Sequence, residues 1–205
     1  MRRAPGDTGK SAQCMILKVG ESDQEENKLQ QEKLKQALFS LLAKKGAKLI
    51  GVADLSGIVN GEMQMGVSVA VPVPKNIVKD LQTAPTKEYY DAYYTLNAML
   101  DNIVSCGAEF LRENGYQAYA NTTKAVKQDD NWCTPLPHKT VATRAGLGWI
   151  GKNCLLVTKE YGSAVRLSSL LTDAPLPAGT PDDIRKSSES VTKNFYRNFI
   201  ISNKT

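Results

Sequence analysis

Residues 144–154, RAGLGWIGKNC, carry the pattern in the chain that decides its fold. GLGWIG has the G-x-G-x-x-G spacing of a dinucleotide-binding loop, and GLGWIGKN falls one residue short of a Walker A loop. A dinucleotide site needs a strand before the glycines and a helix after them, whose amides point at the pyrophosphate. Here a short helix is predicted before the glycines, within 137–148, and a strand after them, at 154–158. Asn153 also stands where a Walker loop needs Ser or Thr, so the sequence argues against both nucleotide interpretations.

Two interpretations of the glycines stay open. Gly146 as a helix cap, with Gly148 and Gly151 in a tight turn that enters a strand, would need no ligand. Cations and an aromatic ring beside exposed backbone could instead clamp a large, flat, anionic or amide-rich cofactor. On this second interpretation the candidate cofactor-binding residues are His138, Lys139, Arg144, Gly146, Gly148, Trp149, Gly151 and Lys152.

The composition predicts one globular domain. A chain of 205 residues, 41% hydrophobic and 23% charged, can bury the core of one domain of ordinary size. The net charge of +5 arises from 26 basic and 21 acidic residues scattered along the chain, which permits a polyanionic partner without requiring one. No stretch approaches the ~20 apolar residues of a membrane span, and CMILKV near the start is too short for a signal-peptide core. We therefore expect a soluble, cytoplasmic protein with reduced thiols and no membrane partner.

The cysteines argue against a metal site built from this chain alone. Cys14, Cys106, Cys133 and Cys154 lie far apart, without a C-x-x-C pair, and His138 is the sole histidine. Zinc and iron–sulfur sites need a closer set of such ligands. We expect Cys154 to be a small buried side chain within a strand.

Hydrophobic periodicity predicts an α+β fold, with a sheet of about five strands flanked by helices in a single domain. Residues 1–25 show no sustained period and are expected to form a flexible leader. The strand predicted at 154–158 and the one at 164–172 are expected to form a hairpin around KEYGS. The other predicted elements are helices at 26–45, about 93–114 and from Pro137 to Gly146, and strands at 49–55, 65–73 and 116–122.

A resemblance to a known family becomes specific at residues 137–181, PHKTVATRAGLGWIGKNCLLVTKEYGSAVRLSSLLTDAPLPAGTP. The paired elements AGLGWIGK and LLTDAPL resemble the signature of the cobalamin-dependent epoxyqueuosine reductases and their relatives. The resemblance implies that residues 26–177 bind cobalamin against the face of the sheet, with the glycine turn at or near the corrinoid. It further implies a ferredoxin-like module with two [4Fe–4S] clusters that feeds the cobalt, and removal of an epoxide oxygen from a modified tRNA base beside a protonated acid.

The chain departs from that pattern in two places. After LTDAPLPAGTP the family continues into C-x-x-C-x-x-C-x-x-x-C-P, whereas residues 178–205 contain no cysteine. We expect a linker and an atypical tail there, and hence a truncated or frame-shifted reading, or a stand-alone domain that receives electrons from a separate ferredoxin or iron–sulfur subunit.

The second departure concerns the proton donor. The family has an Asp in a D-T-G segment, and here the corresponding region reads ANTTKAVKQDDNWCTP, residues 120–135. Asn121 cannot donate a titratable proton, and Asp129 or Asp130 could replace the acid only if the loop folds inward. The sequence therefore leaves tRNA open as a partner. It also leaves open a related reductase of a small molecule and a non-catalytic fragment.

His138 has two possible roles in this scheme. Imidazole suits first-row metals and could ligate cobalt, but the resemblance implies that the corrinoid binds without a protein histidine. We expect a hydrogen-bonded histidine at the entry of the short helix, able to change charge around neutral pH. The tyrosines of residues 89–96, YYDAYYTL, could stack on a ligand or serve packing.

Overall fold

The computed structural model describes residues 9–79, 84–126, 134 and 136–181, with side chains from residue 24 onward. Four helices and six strands lie in these ranges. In chain order they are α1 (Gly9–Lys44), β1 (Leu49–Asp54), β2 (Met65–Pro72), α2 (Lys75–Lys79), α3 (Lys87–Glu113), β3 (Ala118–Asn121), α4 (His138–Arg144), β4 (Trp149–Ile150), β5 (Leu156–Val157) and β6 (Val165–Thr172).

The main sheet has four strands in the order β1-β2-β6-β3, and every neighbouring pair is antiparallel. One row across it joins Gly51, Ser68, Ser169 and Asn121, which are register partners from strand to strand. Since side chains alternate between the faces of a sheet, all four belong to the same face. The strands β4 and β5 form a separate two-stranded hairpin.

The opposite face of the sheet carries the larger hydrophobic core. The valines of β2 pack there against α1 and α3. Helix α3 begins where the Thr86 hydroxyl accepts a hydrogen bond from the Tyr89 amide at 3.2 Å, as is typical of a helix N-cap. Each fully buried aliphatic side chain stabilises the fold by about 1.5–3 kcal/mol. The largest are Leu38, Leu42, Val52, Val67, Val69, Val71, Leu100, Ile103, Val104, Leu111 and Leu170.

Helix α4 covers the other face at close range. A Cβ on Gly66 would lie 2.8 Å from Val141, and one on Gly51 would lie 2.8 Å from the carbonyl oxygen of Ala145. Both distances are too short for a real side chain, so the glycines of β1 and β2 make room for the helix. A smaller cluster that includes Ala53 and Leu55 fills the space beside them.

Gly146 ends α4 in a Schellman motif. Its φ is +74°, its amide binds the Thr143 carbonyl at 3.1 Å, and the Leu147 amide binds the Ala142 carbonyl at 3.0 Å. Glycine is favoured at this position because it adopts positive φ without strain. A Cβ there would also collide with the carbonyl oxygen of Thr180. The predicted helix-cap role of Gly146 is therefore confirmed.

The α+β single-domain prediction is confirmed, although the main sheet has four strands instead of about five. The hairpin predicted between 154–158 and 164–172 is wrong, because β2 and β3 occupy both edges of β6 while β5 pairs with β4. Helix α1 begins at Gly9 and not at Glu26, so most of the expected leader is helical. Residues 182–205 lie outside the described residues.

No helix in the described part of the chain combines the length and apolarity that crossing a bilayer requires.

Comparing Gly115 with Gly146, each of which follows a helix, separates the energetic cost of positive φ from the cost of steric crowding. Gly115 also follows a helix at positive φ, +86°, but has open space where a Cβ would lie. We expect Gly115→Ala to lower the free energy of unfolding by about 1 kcal/mol, the cost of a left-handed residue. Gly146→Ala should cost a further 1–3 kcal/mol or so, because Thr180 must move. Urea denaturation measures both, and equal losses would contradict the crowding at Gly146.

Candidate functional site

Helix α4 distributes the predicted site residues between two ends. His138 is its first residue and Arg144 its last, about 9 Å apart at 1.5 Å per residue. Gly146 and Gly148 follow the second end, whereas the hairpin turn with Gly151 and Lys152 returns to the first turn of the helix, where Lys139 contacts it.

The glycine end is closely packed on its own hairpin. Gly148 is buried, and a Cβ there would collide with the carbonyl oxygen of Val157. Our expectation that Gly148 offers exposed backbone to a ligand is therefore wrong. Gly151 accepts a hydrogen bond from the Cys154 amide at 2.9 Å and donates to Leu155 O at 2.9 Å, closing the hairpin turn.

The hairpin turn is tied to the first turn of α4. Lys139 donates from Nζ to the carbonyl oxygen of Cys154 at 3.3 Å. Cys154 is exposed and has a φ of +60°, which is uncommon for a residue with a side chain. The prediction that Cys154 is buried in a strand is therefore wrong, because the residue occupies the left-handed position of the turn.

Arg144 lies beside the end of β1. The Ser56 hydroxyl and amide hold the pKa of Asp54 below its usual value, and the Arg144 guanidinium lowers it further. Trp149 is half-buried and Lys152 is exposed. Contact of these residues with a cofactor stays a prediction.

The other end of α4 meets the polar row of the sheet. His138 Nδ1 lies 2.9 Å from Ser169 Oγ, and Asn121 Nδ2 donates to the same oxygen at 3.2 Å. The Ser168 hydroxyl donates to the Asn121 carbonyl at 3.1 Å. Asn121 is thus fixed at the end of β3 by its side chain and its backbone.

Ser68 adjoins this network without joining it. It is fully buried beside its register partner Ser169, and its hydroxyl has no hydrogen-bond partner among the described residues. A buried hydroxyl left unsatisfied is costly, so such atoms often mark a position for water or a ligand.

A polar stripe on α3 faces the same end of the sheet. Tyr93, Asn97 and Asp101 follow one another at steps of four residues, which places them on one side of the helix. Asp101 accepts two hydrogen bonds from Thr123, at 2.8 Å from the amide and 2.6 Å from the hydroxyl. Arg166 of β6 donates to Asn97 and lies over the Tyr93 ring. Sequence reasoning missed Asn97 and Asp101, although this spacing within a predicted helix could have found them.

Burial lowers the pKa of His138 below its usual 6.5, the Asp101 carboxylate opposes this by raising it, and Arg166 lowers it further. His138 is therefore neutral at physiological pH. Its Nε2 makes no hydrogen bond to any residue in the described ranges.

Metal binding by side chains alone receives no support. Within the described ranges no group of three or more His, Cys, Asp and Glu residues could hold an ion. Asp129 and Asp130, the other acids considered from the sequence, lie outside the described residues.

Ser68 and Ser169 form a matched pair for testing the network. Both are fully buried on the same face, so Ser→Ala removes the same atom from each. We expect Ser169→Ala to lower the free energy of unfolding by about 1–3 kcal/mol, because it leaves buried partners unpaired. Ser68→Ala should leave it unchanged or raise it, because an unsatisfied hydroxyl is removed. Chemical denaturation measures the free energy of unfolding of both variants. A greater loss for Ser68→Ala than for Ser169→Ala would contradict this expectation.

The lowered pKa of His138 predicts how stability depends on pH. The unfolded chain binds more protons than the folded one between the folded pKa and 6.5. Stability should therefore be full above pH 6.5 and fall as the pH drops through 6.5 towards the folded pKa. Thermal melts between about pH 7.5 and 5.5 should show this loss in the wild type and less of it in His138→Gln. Parallel curves would exclude His138 as its source.

Comparison with known proteins gives the context of this site. No family model matches the chain. The epoxyqueuosine reductase of Bacillus cereus is 46% identical over 46 residues, which cover 22% of this chain and 12% of that protein. The enzyme of Listeria monocytogenes is 56% identical over 41 residues, 20% of this chain and 11% of that protein. The match thus spans well under two thirds of the relatives' length.

The fold gives a broader match. An epoxyqueuosine reductase solved with an epoxyqueuosine-modified stem loop of tRNA-Tyr superposes with a TM-score of 0.51 at 21% identity, over 75% of this chain and 48% of that one. A catabolic reductive dehalogenase gives 0.59 at 15% identity, over 72% of this chain and 22% of that one. Identities this low establish the fold alone. The chain is thus related to the epoxyqueuosine reductases by a segment of similar sequence and has their fold, which reductive dehalogenases share.

Proposed function

We propose that this chain is the cobalamin-binding part of an iron–sulfur oxidoreductase of the epoxyqueuosine reductase type. The observation that carries the proposal is the hydrogen-bonded His138, half-buried over the polar row of the sheet in a fold shared with reductases of this type. His138, Ser169 and Asn121 form the centre of the proposed site.

The residues at this end of α4 suit a corrinoid chemically. A corrinoid contains its own cobalt, so the protein needs hydrogen-bonding groups for the amides on its rim more than a cluster of metal ligands. Among the described residues neither His138 Nε2 nor the buried hydroxyl of Ser68 has a hydrogen-bond partner, and in this proposal Nε2 binds such an amide. Reduced cobalamin, when bound, would supply the electrons for reductive removal of an oxygen.

His138 would hold a proton at a defined atom. Asn121 donates to the Ser169 hydroxyl, whose own hydrogen is then free to be donated to His138 Nδ1. That arrangement puts the proton of the neutral imidazole on Nε2. In this proposal Nε2–H donates a hydrogen bond to the ligand or substrate at the place where the family uses an acid. Asn121 orients the network and is not itself the proton donor.

The substrate and the electron donor belong to the proposal as well. A relative of this fold was solved with an epoxyqueuosine-modified tRNA stem loop, which supports tRNA as a substrate. Asn121 in place of an acid favours a second candidate, a related reductase that acts on a small molecule. Binding to modified and unmodified stem loops separates the two, since only a specific enzyme discriminates between them. Electrons would come from a ferredoxin or another iron–sulfur partner.

The deciding experiment is an anaerobic absorbance titration of cob(II)alamin with the purified chain. We expect a saturable spectral change that marks a new axial environment of cobalt. His138→Gln should weaken binding about tenfold, the effect of losing one good hydrogen bond. Glu109→Gln, an exposed change on α3, serves as the control and should bind like the wild type.

A lack of spectral change with protein shown to be folded by circular dichroism would overturn the proposal. Gly148→Val cannot replace this test. Its side chain would meet Val157 O, so a loss of binding would follow from damage to the hairpin whether or not a ligand lies there.

A further inference from the structure

The Ser169 hydroxyl is the group through which His138 joins the polar row of the sheet. Its oxygen receives a hydrogen bond from Asn121 Nδ2 at 3.2 Å and lies 2.9 Å from His138 Nδ1. A serine hydroxyl has one hydrogen to donate and two lone pairs with which to accept. Since Asn121 occupies one lone pair, the hydroxyl can either donate its hydrogen to Nδ1 or accept a hydrogen from Nδ1 on the second lone pair.

The charge of His138 decides which of these two arrangements forms. A neutral imidazole with its proton on Nε2 offers Nδ1 as an acceptor, so the Ser169 hydrogen points to it. An imidazolium carries hydrogens on both nitrogens, so Nδ1–H donates to Ser169 Oγ instead. The Ser169 hydrogen then needs another acceptor within the protein, because Ser169 is fully buried. Without one, the unpaired hydrogen would oppose the protonation of His138.

Ser68 lies where it can accept this hydrogen. It is the register partner of Ser169 on the neighbouring strand β2, belongs to the same face of the sheet and is also fully buried. Residues directly opposite each other have Cβ atoms about 4.5–5.5 Å apart, a spacing at which hydroxyl side chains bond across strands. The Ser68 hydroxyl has no hydrogen-bond partner among the described residues, and its two lone pairs let it accept whether or not it donates elsewhere.

The groups around His138 set how readily it takes up a second proton. Burial lowers the pKa of His138 below its usual 6.5, Asp101 of α3 raises it and Arg166 of β6 lowers it further. On α4 itself, the Lys139 ammonium is turned to a carbonyl of the hairpin turn. The surroundings as a whole thus disfavour the imidazolium, and an acceptor for the displaced Ser169 hydrogen would reduce this effect.

We propose that Ser68 is a positioning residue for His138: it accepts the Ser169 hydrogen when His138 takes up a second proton, and it thereby lets the half-buried imidazole carry a charge. The step moves one proton from solvent to Nδ1 and rotates one hydroxyl. In the reaction, the imidazolium would release its Nε2 proton to a substrate oxygen while Nδ1–H keeps its bond to Ser169. That use rests on the proposed function, whereas the switch itself needs no cofactor.

The test is an NMR titration of His138 in the full chain without cofactor. His138 is the sole histidine, so its ring signals are unambiguous in protein free of a histidine tag. Their pH dependence gives the pKa, and the ring nitrogen shifts above that pKa give the tautomer. The variants are Ser68→Ala, Ser68→Thr, Ser169→Ala and the double variant with alanine at both positions. Ala70→Gly serves as the control, because Ala70 is fully buried on β2, two residues from Ser68 and on the same face.

We expect Ser68→Ala to lower the pKa of His138 by about 0.5–1, the effect of losing one hydrogen bond in the charged form alone. The neutral tautomer should not change. Ser68→Thr keeps the hydroxyl and should keep the wild-type pKa, as should Ala70→Gly. In the Ser169→Ala background, Ser68→Ala should have no further effect, because the hydrogen that Ser68 accepts is absent.

Three results would overturn the inference. The first is an unchanged pKa in Ser68→Ala, which is expected if the Asn121 amide turns to accept the hydrogen. The others are the same decrease in the Ser169→Ala background and an equal decrease in Ala70→Gly. Ser68→Cys supplies a weaker acceptor and should also lower the pKa, which keeps the test valid if Ser68→Ala does not fold.

The outcome is independent of cobalamin binding. If cob(II)alamin does not bind, the proposed function fails and the titration of His138 still decides the role of Ser68. If the pKa does not respond to Ser68→Ala, this inference fails and the absorbance titration still decides the proposed function.

Discussion

The close approach of α4 to the sheet is the constraint on which the candidate site depends. Glycines at positions 51 and 66 let the helix lie almost directly on the strands, and the first residue of the helix then reaches Ser169. A larger residue at either glycine would lift the helix, and His138 would lose its partner. Backbone packing in the middle of the face thus sets the geometry of the polar groups at its end.

The two faces of the sheet have different roles: one carries the larger hydrophobic core, and the other carries the residues of the candidate site. The face towards α1 and α3 holds large aliphatic side chains in a continuous core. The face towards α4 holds a smaller hydrophobic cluster and several polar side chains, including Ser68, whose hydroxyl has no partner among the described residues. Buried polar groups stabilise only when they are satisfied, so this face gives up stability that the aliphatic face supplies.

The sequence predicted the elements with clear periodicity. The strands at 49–54 and 65–72 and the helix that starts at His138 came out close to their observed bounds, because their apolar patterns and Gly or Pro boundaries are local signals. Strand pairing is not a local property. The hairpin predicted around KEYGS is wrong because β6 pairs with β2 and β3, which are distant from it in the sequence. The residues of the candidate site were likewise predictable only where the signal was local. His138 was found as the sole histidine, but Ser68, Asn97 and Asp101 acquire meaning only through neighbours distant in sequence.

The bond between Lys139 and the carbonyl of Cys154 has a mechanical consequence. It fixes the first turn of α4 to the hairpin turn, while residues 145–148 join the last turn of the helix to the start of the hairpin. Helix and hairpin are therefore connected at both ends of the helix, once by a hydrogen bond and once by the chain itself. A large ligand that reached His138 by displacing α4 would have to carry the hairpin with it.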